Sequence, residues 1–250
     1  MATKVRLIDL SLLLENFPME PQPTTIQYMT HRETAQSRAR QYRISADDVP
    51  GGMHLASEIV TCTTHSATHL DAPYHYGPRN KTIDEVPLEW LYGEAVVLDF
   101  SRKKPGEWIS AQEVQGEVTR IGYTLKPMDI VLIRTDTWKH WAKWNFDELH
   151  PGMSREATLW LIDQGIKVMG IDAWGFDAPV PQMVEGLRKG DTKQFFQSHY
   201  LGREREYMHA EKLANLDQLP PFGFKVCLFP IKVKRASGAW IRAVAILEEP

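Results

Sequence analysis

The sequence lacks the features of membrane, secreted and nucleic-acid-binding proteins. No apolar run in its 250 residues approaches the about 20 residues of a transmembrane helix. Two cysteines, Cys62 and Cys227, are too few for a disulfide framework and fit a reducing cytoplasm. The net charge of -3 gives no broad basic field for nucleic acid. Because Arg6 and Asp9 interrupt the region that a signal peptide would need to be apolar, we expect a soluble, cytoplasmic protein without membrane or nucleic-acid partners.

Several catalytic motifs are also missing. The sequence has no Gly-x-Ser-x-Gly elbow, which disfavours serine chemistry. It has no His-Glu-x-x-His pair and no Walker or dinucleotide glycine pattern. A chain of this length buries roughly three quarters of its unfolded surface, so it needs no structural metal to form a core. Any metal that it carries is therefore expected to be catalytic.

The middle of the chain predicts an α/β pattern. Continuous apolar runs at 94–100, 129–134 and 167–172 are typical of strands buried on both faces. Helices alternate with these strands, because Ser110 begins a capping box and Ser154 is suited to cap a second helix. Strands and helices in alternation indicate a sheet that is covered by helices.

The two ends of the chain differ from this middle region. Residues 5–10 predict a first strand, 16–52 predict loop and short helix, and 58–64 predict a strand that leads into a histidine cluster. The runs 224–233 and 240–247 follow each other and are typical of an antiparallel pair. We therefore predict an α/β fold with a mixed β-sheet or barrel-like core and surrounding helices, in preference to a doubly wound parallel sheet.

A single domain over residues 1–250 is predicted, because the chain has no internal repeat and no low-complexity linker. Within it, residues 178–208 are polar and charge-dense and predict a helical excursion. Three interpretations of this excursion stay open: a solvated surface, a lid over a site, or an arm that packs on a second subunit.

Three of the nine histidines lie within eleven residues. His65 and His69 are four residues apart, so one helical turn would place both on the same face. His69 and Asp71 are two residues apart, so an extended backbone would bring those two together instead. Pro73 prevents a helix from running through the segment. Two imidazoles and a carboxylate suit Zn, Mn or Fe; the alternative is a polar turn without metal.

The third histidine of this cluster is a candidate proton shuttle. A divalent ion polarises a carbonyl and lowers the pKa of bound water toward about 7, but hydrolysis still needs a group that moves a proton. His75 lies four residues past Asp71 and can face the site without binding the ion. Its ordinary pKa of about 6.5 suits this role. The alternatives are a further metal ligand or a supporting hydrogen bond.

The segment His-Ser-Ala-Thr-His-Leu-Asp-Ala-Pro-Tyr-His at 65–75 resembles the signature His-x-Gly-Thr-His-x-Asp-x-Pro-x-His of the metal-dependent cyclase family, which includes bacterial kynurenine formamidases and isatin hydrolases. Ala67 replaces the Gly of the signature and would be strained if φ is positive there. The second half of the family pattern is a His followed twelve residues later by a Glu, which His199 and Glu211 match. His209 is a less favoured candidate for this His.

The resemblance implies one or two Zn²⁺ or Mn²⁺ ions, with Asp71 and Glu211 as the bridging carboxylates if there are two. The ligands that it implies are His65, His69 and Asp71 for one ion and Asp71, His199 and Glu211 for the other. It also implies that His75 is the general acid and base. A homodimer or homotetramer is expected from the same resemblance.

A third segment, Asp172-Ala-Trp-Gly-Phe-Asp177, follows a predicted strand at the end where loops carry chemistry. The family has Asp-x-x-Ser-x-Asp here, so Gly175 replaces the Ser and suggests a pocket altered in shape or hydrogen bonding. Trp174 and Phe176 are candidates to contact the substrate, and the alternative is that they are core aromatics. Phe17 is the nearest counterpart of an N-terminal aromatic residue that the formamidases place on the substrate, although its spacing differs.

These observations predict a metal-dependent hydrolase in which water, activated by the metal, attacks an amide, cyclic amide or lactone carbonyl. We expect a small-molecule substrate with a C–N bond other than a peptide bond, as for an arylformamidase or an isatin hydrolase, and eight tryptophans favour an aromatic one. One alternative is a dienelactone-type lactone hydrolase. Another is a non-haem Fe(II) oxygenase with His69, Asp71 and His199 as its 2-His-1-carboxylate triad. A non-catalytic metal-binding protein is the third.

Overall fold

The structure, a computed structural model, describes residues 4–17, 20 and 22–249. The chain divides into two units, of which one is Met1–Leu13 with Thr64–Pro250 and the other is Leu14–Thr63. The single domain that the sequence predicts over 1–250 stays a prediction. In the described residues no helix has the length and apolar character that crossing a bilayer requires.

The described residues form thirteen strands and six α-helices, joined by loops and short 3-10 turns. The strands are β1 (Lys4–Asp9), β2 (Thr25–Met29), β3 (Ser57–Thr61), β4 (His69–Asp71), β5 (Tyr92–Asp99), β6 (Trp108–Ile109), β7 (Ile130–Arg134), β8 (Gly152–Met153), β9 (Val168–Ile171), β10 (Met208–Glu211), β11 (Phe224–Cys227), β12 (Gly238–Trp240) and β13 (Val244–Glu249). The helices are α1 (His31–Tyr42), α2 (Pro73–Tyr76), α3 (Ala111–Arg120), α4 (Arg155–Asp163), α5 (Val180–Arg188) and α6 (Gln197–Leu201).

A curled, mixed sheet organises the larger unit. Among the described residues it has nine strands in the order β1-β13-β11-β5-β7-β9-β10-β4-β12. The central strands β5, β7, β9 and β10 run parallel, and the neighbours on both sides pair antiparallel. Ser11, just past β1, forms a bridge with Leu213, just past β10, although these strands are far apart in the order. The sheet therefore curls into a half-barrel, which confirms the predicted mixed, barrel-like sheet with helices.

Both faces of the central strands are buried. Val96 and Leu98 of β5 pack in a cluster with residues of α3 and α4, whereas Ala95 and Val97 pack in a second cluster that draws on all nine strands of the sheet. This second cluster fills the inside of the curl. Because successive residues of a strand point to opposite faces, strands covered on both sides need continuous apolar sequences, as predicted for them.

Local capping explains the two helices that the sequence predicts. Ser110 Oγ accepts a hydrogen bond from the Glu113 backbone N–H, and a Glu113 carboxylate oxygen accepts one from the Ser110 N–H at 2.9 Å. Ser154 Oγ accepts a hydrogen bond from the Ala157 N–H at 3.1 Å. Both serines satisfy N–H groups that a helix start leaves without a partner. The predicted positions of α3 and α4 are therefore confirmed.

The smaller unit differs from the loop and short helix predicted for 16–52. It contains the twelve-residue helix α1, capped by Thr30, and the strand β2, which pairs antiparallel with β3. The strand was not predicted because Thr25–Met29 is short and largely exposed and lies in a region rich in polar residues and proline, with weak periodicity. Pairing with β3, and not a buried face, makes this segment a strand.

The C-terminal prediction is correct for one pair of strands and wrong for two boundaries, of which the first is the end of β11 at Cys227 and not at 233. β11 and β13 are antiparallel neighbours, with Lys225 opposite Ile246, as the runs 224–233 and 240–247 predict. The second run is divided, however, because Trp240 belongs to β12, which pairs with β4. The predicted excursion at 178–208 contains α5 and α6, and its role as a lid or an arm stays a prediction.

Candidate metal centre

Four side chains on one face of the neighbouring strands β4 and β10 form the centre of the site. His69 and Asp71 are two residues apart on β4, and His209 and Glu211 are two residues apart on β10, so each pair shares a face. The antiparallel register places His209 opposite Asp71 and Glu211 opposite His69. Leu70 and Ala210 between them point to the inner cluster, so the four polar side chains lie on the outer face. Of the two alternatives for 65–71, the extended one is correct.

The nitrogen and oxygen atoms of these four side chains converge. His209 Nε2 lies 3.2 Å from Asp71 Oδ2 and 3.3 Å from Glu211 Oε1. His69 Nε2 lies 3.2 Å from Asp71 Oδ1 and 3.6 Å from Glu211 Oε2. Two ligand atoms that are each about 2.1 Å from one ion lie about 3.0 to 3.5 Å apart. The separations therefore suit a group of atoms that shares a cation.

His199 approaches the same carboxylates from α6. Its Nε2 lies 3.6 Å from Asp71 Oδ2 and 3.8 Å from Glu211 Oε1. Asp177 Oδ2 accepts hydrogen bonds from the His199 backbone N–H at 3.1 Å and from Nδ1 at 2.6 Å, and Asp177 Oδ1 accepts one from the Ser198 N–H. With Nδ1 held by Asp177, the Nε2 atom of His199 is the one turned toward the centre.

His65 lies at the edge of the group and makes hydrogen bonds through both ring nitrogens. Its Nδ1 is 2.6 Å from Asp71 Oδ1, and its Nε2 is 2.9 Å from Ser237 Oγ. A separation of 2.6 Å is a hydrogen bond and is shorter than expected for two ligands of one ion. A Cβ added to Gly238 would lie 2.7 Å from His65 Cε1, so the ring requires glycine beside it.

His75 is the most exposed member of the group. Its side chain is 36% exposed, against 26% for His65 and 12% for His199, and its Nε2 lies 3.7 Å from Asp71 Oδ2. As expected, no helix runs through Pro73 in the described segment 65–76. Pro73 is the first residue of the short helix α2, where its missing N–H has no cost. This turn places the partly exposed His75 ring next to the buried Asp71 carboxylate.

Three buried polar atoms of the centre face one another without hydrogen bonds. Within the described part of the chain His69 Nε2, Asp71 Oδ2 and His209 Nε2 have no hydrogen-bond partner. His69 Nδ1 lies 2.9 Å from the carbonyl oxygen of Ala67, which only accepts, so Nδ1 carries a proton and in the neutral ring Nε2 presents a lone pair to Asp71. A buried lone pair that faces a carboxylate is costly unless a cation lies between them. Imidazole nitrogen and carboxylate oxygen are also ligands that Zn²⁺ and Mn²⁺ accept, so the residues fit a divalent ion.

The electrostatics of the group lead to the same conclusion. Burial acts to raise the pKa of both carboxyl groups, but the surrounding imidazoles lower the pKa of Glu211 to about 2 and that of Asp71 well below its ordinary value. Burial acts to lower the pKa of His65 and His199, but the neighbouring carboxylates raise both. Protons thus compensate the buried negative charge, and a bound cation would displace them.

The loop at 172–177 contacts two side chains of the centre, Glu211 and His209. The Phe176 backbone N–H donates a hydrogen bond to Glu211 Oε1 at 2.8 Å. A Cβ at Gly175 would lie 3.9 Å from the same oxygen, so the Ser of the family pattern would sit beside Glu211. The Phe176 side chain is fully buried and stacks on the His209 ring at 4.4 Å, and Trp174 is half-buried with Lys212 Nζ 5.3 Å from its ring.

The substrate contacts that the sequence suggests for Trp174, Phe176 and Phe17 stay predictions. Phe17 belongs to the smaller unit, where its carbonyl accepts a hydrogen bond from the Thr24 N–H. The family spacing favours His199 over His209 as a ligand candidate, but the structure places both histidines in the centre. The available signal was that His209-Ala-Glu211 repeats the His-x-acid spacing of His69-Leu-Asp71.

Comparison with known proteins places this geometry in a family. The Cyclase family model matches residues 8–178. The kynurenine formamidase of Geobacillus thermodenitrificans is 26% identical over 237 residues, which cover 94% of this chain and 95% of that protein. An isatin hydrolase bound to the product analogue thioisatinate has a TM-score of 0.78 at 23% identity and covers 98% of this chain and 93% of its own. Isatin hydrolase A from Labrenzia aggregata, bound to benzyl benzoate, has a TM-score of 0.76 at 25% identity, with 98% and 94% covered.

The family match covers more than half of the chain, and the relatives extend over nearly all of it. The resemblance to the metal-dependent cyclase family is therefore confirmed, and with it the prediction of a metal-dependent hydrolase whose His and Asp cluster can hold an ion. This chain belongs to the Cyclase family.

Proposed function

We propose that this protein hydrolyses the C–N bond of a small linear or cyclic amide, with an aromatic group next to the reacting carbonyl. The observation that carries the proposal is the His69 lone pair that faces two buried, ionised carboxylates next to the partly exposed His75. The names of the relatives, a kynurenine formamidase and isatin hydrolases, point to linear and cyclic amides respectively.

The residues that would hold Zn²⁺ or Mn²⁺ are Asp71 and Glu211 with the imidazoles of His69 and His199, and His65 lies next to them. A bound ion supplies a Lewis acid that polarises a carbonyl and makes water more acidic. Asp71 contributes oxygen atoms toward both His69 and His199, so it is suited to one ion or to a pair. Asp177 and the Ala67 carbonyl orient the two imidazoles through their Nδ1 atoms.

His75 is suited to move the proton. Burial lowers its pKa to about 4 against the opposing effect of the Asp71 carboxylate, so the ring is neutral at neutral pH and has a lone pair to accept a proton. Its partial exposure makes the ring accessible to a substrate. We propose that His75 accepts the proton of the attacking water and returns it to the leaving nitrogen, which becomes an amine when the C–N bond breaks.

The test is turnover of three substrate series by protein loaded with Zn²⁺ or Mn²⁺: N-formyl anilines, isatin-like rings and aromatic lactones. Turnover of the amides, with a kcat about 10²- to 10⁴-fold lower in His75→Ala and an unchanged metal content, is the expected result. Asp71→Ala should lose the metal. Near-normal turnover by His75→Ala would contradict the role of His75, and turnover restricted to lactones would favour the dienelactone-type alternative.

Elemental analysis of protein purified without a metal-affinity tag measures which metal is bound and how many equivalents. One or two equivalents of Zn or Mn support the proposal, whereas stoichiometric iron would favour the oxygenase alternative. A metal-loaded protein that turns over none of the three series would favour a non-catalytic metal-binding role. A cytoplasmic homodimer or homotetramer belongs to the same proposal, and light scattering after size-exclusion chromatography measures the oligomeric state.

A further inference from the structure

His209 and His69 occupy equivalent positions in the sheet. Each is the first residue of a His-x-acid pair, each is buried, and each lies directly opposite the carboxylate of the neighbouring strand. His209 Nε2 is nearly equidistant from Asp71 Oδ2 and Glu211 Oε1, at 3.2 and 3.3 Å. These distances are shorter than those from His199 Nε2 to the same two oxygens, 3.6 and 3.8 Å. The geometry therefore offers His209 at least as good an approach to a shared ion as His199.

The hydrogen bonds of Tyr207 indicate which nitrogen of His209 carries the proton. The Tyr207 hydroxyl donates to the Ser198 carbonyl oxygen at 2.8 Å, because a carbonyl only accepts. Its oxygen also lies 3.3 Å from His209 Nδ1 and has a lone pair left for that contact. The Tyr207 contact therefore calls for a proton on Nδ1, and the Tyr76 hydroxyl, 3.1 Å from the same nitrogen, can accept from it as well. In this tautomer a neutral His209 presents the Nε2 lone pair to the two carboxylates.

The ring of His209 is held in this orientation from both sides. Phe176 stacks on it at 4.4 Å with an interplanar angle of 9°, and the Tyr76 ring lies 5.3 Å away with its hydroxyl 3.1 Å from Nδ1. The ring is fully buried, and its Nε2 is without a hydrogen-bond partner among the residues that the structure describes. A ring fixed by stacking, with a lone pair aimed at two carboxylates, has the preorganisation of a metal ligand.

We propose that His209 binds the metal ion directly through Nε2, so that Asp71, His199, His209 and Glu211 form one four-residue cation site. One ligand atom of each of these residues lies within 4.8 Å of the others. The His-to-Glu spacing of the family pattern does not include His209. This inference rests on the proposed function, since it requires a metal at the centre, but it does not depend on the identity of the substrate.

The experiment is a Co²⁺ titration of the metal-free full chain. The variants are His209→Phe, which keeps a ring to stack on Phe176, and His209→Gln, which keeps an oxygen donor near the same place. The matched control is His31→Gln, an exposed histidine at the start of α1. Chelator competition gives the Co²⁺ affinity, and the proton spectrum gives the hyperfine-shifted ring N–H signals, one for each coordinated imidazole whose other nitrogen is protonated.

We expect His209→Phe to lose more than about 100-fold in Co²⁺ affinity, beyond the 10- to 100-fold that loss of a supporting partner causes. It should also lose one shifted N–H signal, while His209→Gln keeps part of the affinity and lacks the same signal. His31→Gln should match the wild type. Unchanged affinity and an unchanged set of shifted signals in His209→Phe would overturn the inference and leave the proposed function intact.

Failure of the proposed function has a different signature: wild-type protein that binds Co²⁺ but hydrolyses no amide would contradict the function and leave the His209 inference testable. Wild-type protein that binds no Co²⁺ would overturn both. Circular dichroism checks that both variants fold. If neither variant folds, wild-type protein with ¹⁵N-labelled histidine rings replaces them. Zn²⁺ should then shift the Nε2 resonance of the ring whose Nδ1–H contacts Tyr207, and an unshifted resonance there would overturn the inference.

Discussion

Ala67 has a backbone conformation that its side chain disfavours. Its φ is 49°, in the left-handed region, where a Cβ costs about 1 kcal/mol. This conformation orients a ligand candidate, because the Ala67 carbonyl accepts the hydrogen bond from His69 Nδ1 and so sets the orientation of that ring. The family signature has glycine here, and the strain that the sequence analysis expected for a positive φ is present.

Ala67→Gly should therefore stabilise the protein by about 0.5 to 1 kcal/mol, because glycine adopts this φ without steric strain. Urea denaturation at constant metal concentration measures the free energy of unfolding. Ala72→Gly is the matched control, since Ala72 is buried with φ of -77° and glycine there should destabilise. A loss of stability in Ala67→Gly would show that the Cβ contacts outweigh the strain.

Asp177 positions His199 without facing the ion itself. Asp177→Asn should weaken metal affinity about 10- to 100-fold, because an amide has one acceptor oxygen, whereas the Asp177 carboxylate accepts from the Ser198 and His199 backbone N–H groups and from His199 Nδ1. Chelator competition measures the change. Asp163→Asn serves as control, since Asp163 is an exposed residue at the end of α4 whose carboxylate pairs with Arg205. Equal affinity in Asp177→Asn and wild type would contradict a role for Asp177 in orienting the ligand.

At the scale of elements, Asp172 ties the end of β9 to the end of β7. Its Oδ1 contacts the Thr135 backbone N–H and hydroxyl, each at 2.6 Å, and its Oδ2 accepts a hydrogen bond from the Asp136 N–H at 2.9 Å. Burial raises the pKa of this carboxyl group to about 7. The carboxyl therefore binds a proton in the folded chain at pH values where it is ionised in the unfolded chain.

This shift predicts a pH dependence of stability. Between about pH 4, the ordinary carboxyl pKa, and pH 7 the folded state holds one proton more than the unfolded state, so the contribution of Asp172 falls as pH rises through this range. The slope is at most about 1.4 kcal/mol per pH unit. Urea denaturation of metal-free wild type and Asp172→Asn from pH 4 to 7 measures it, and the variant should show a smaller decline. Parallel curves would contradict the raised pKa.

Elements with strong local signals are the ones that the sequence predicts well. Capping boxes and runs of apolar residues act within a few residues of chain, which is why α3, α4, β5 and β7 have the predicted positions. β2 has no such signal, since its exposed residues become a strand only by pairing with β3. The division of the run 240–247 has a similar cause. Trp240 belongs to β12 because it pairs with β4, and local propensity does not reveal that pairing.

For the whole molecule, the metal should contribute to the stability of the fold. Two ionised carboxylates are buried together in the larger unit, and a ligand that binds only the folded state at 100 times its Kd stabilises by about 2.7 kcal/mol. Chelation should therefore lower Tm, and added Zn²⁺ or Mn²⁺ should restore it. Differential scanning calorimetry measures the change, with Asp71→Ala as the control that should not respond. A metal-containing wild type whose Tm is unaffected by a chelator would contradict this expectation.

The sequence by itself determined the type of fold and most of the candidate ligands. Residue spacing is local information: His69 and Asp71 two residues apart, and His199 twelve before Glu211, were enough to nominate a metal site and to indicate the family. Continuous apolar runs were enough to indicate strands that are buried on both faces.

The tertiary structure alone decided which of these residues meet and how. The antiparallel register of β4 and β10 sets Glu211 opposite His69 and brings His209 into the centre, although the two strands lie far apart in the sequence. The hydrogen bonds of His65 to Asp71 and Ser237 and the placement of His75 next to the Asp71 carboxylate follow from the same assembly. Strand register and the curl of the sheet come from pairing between distant segments, and no local pattern in the sequence encodes them.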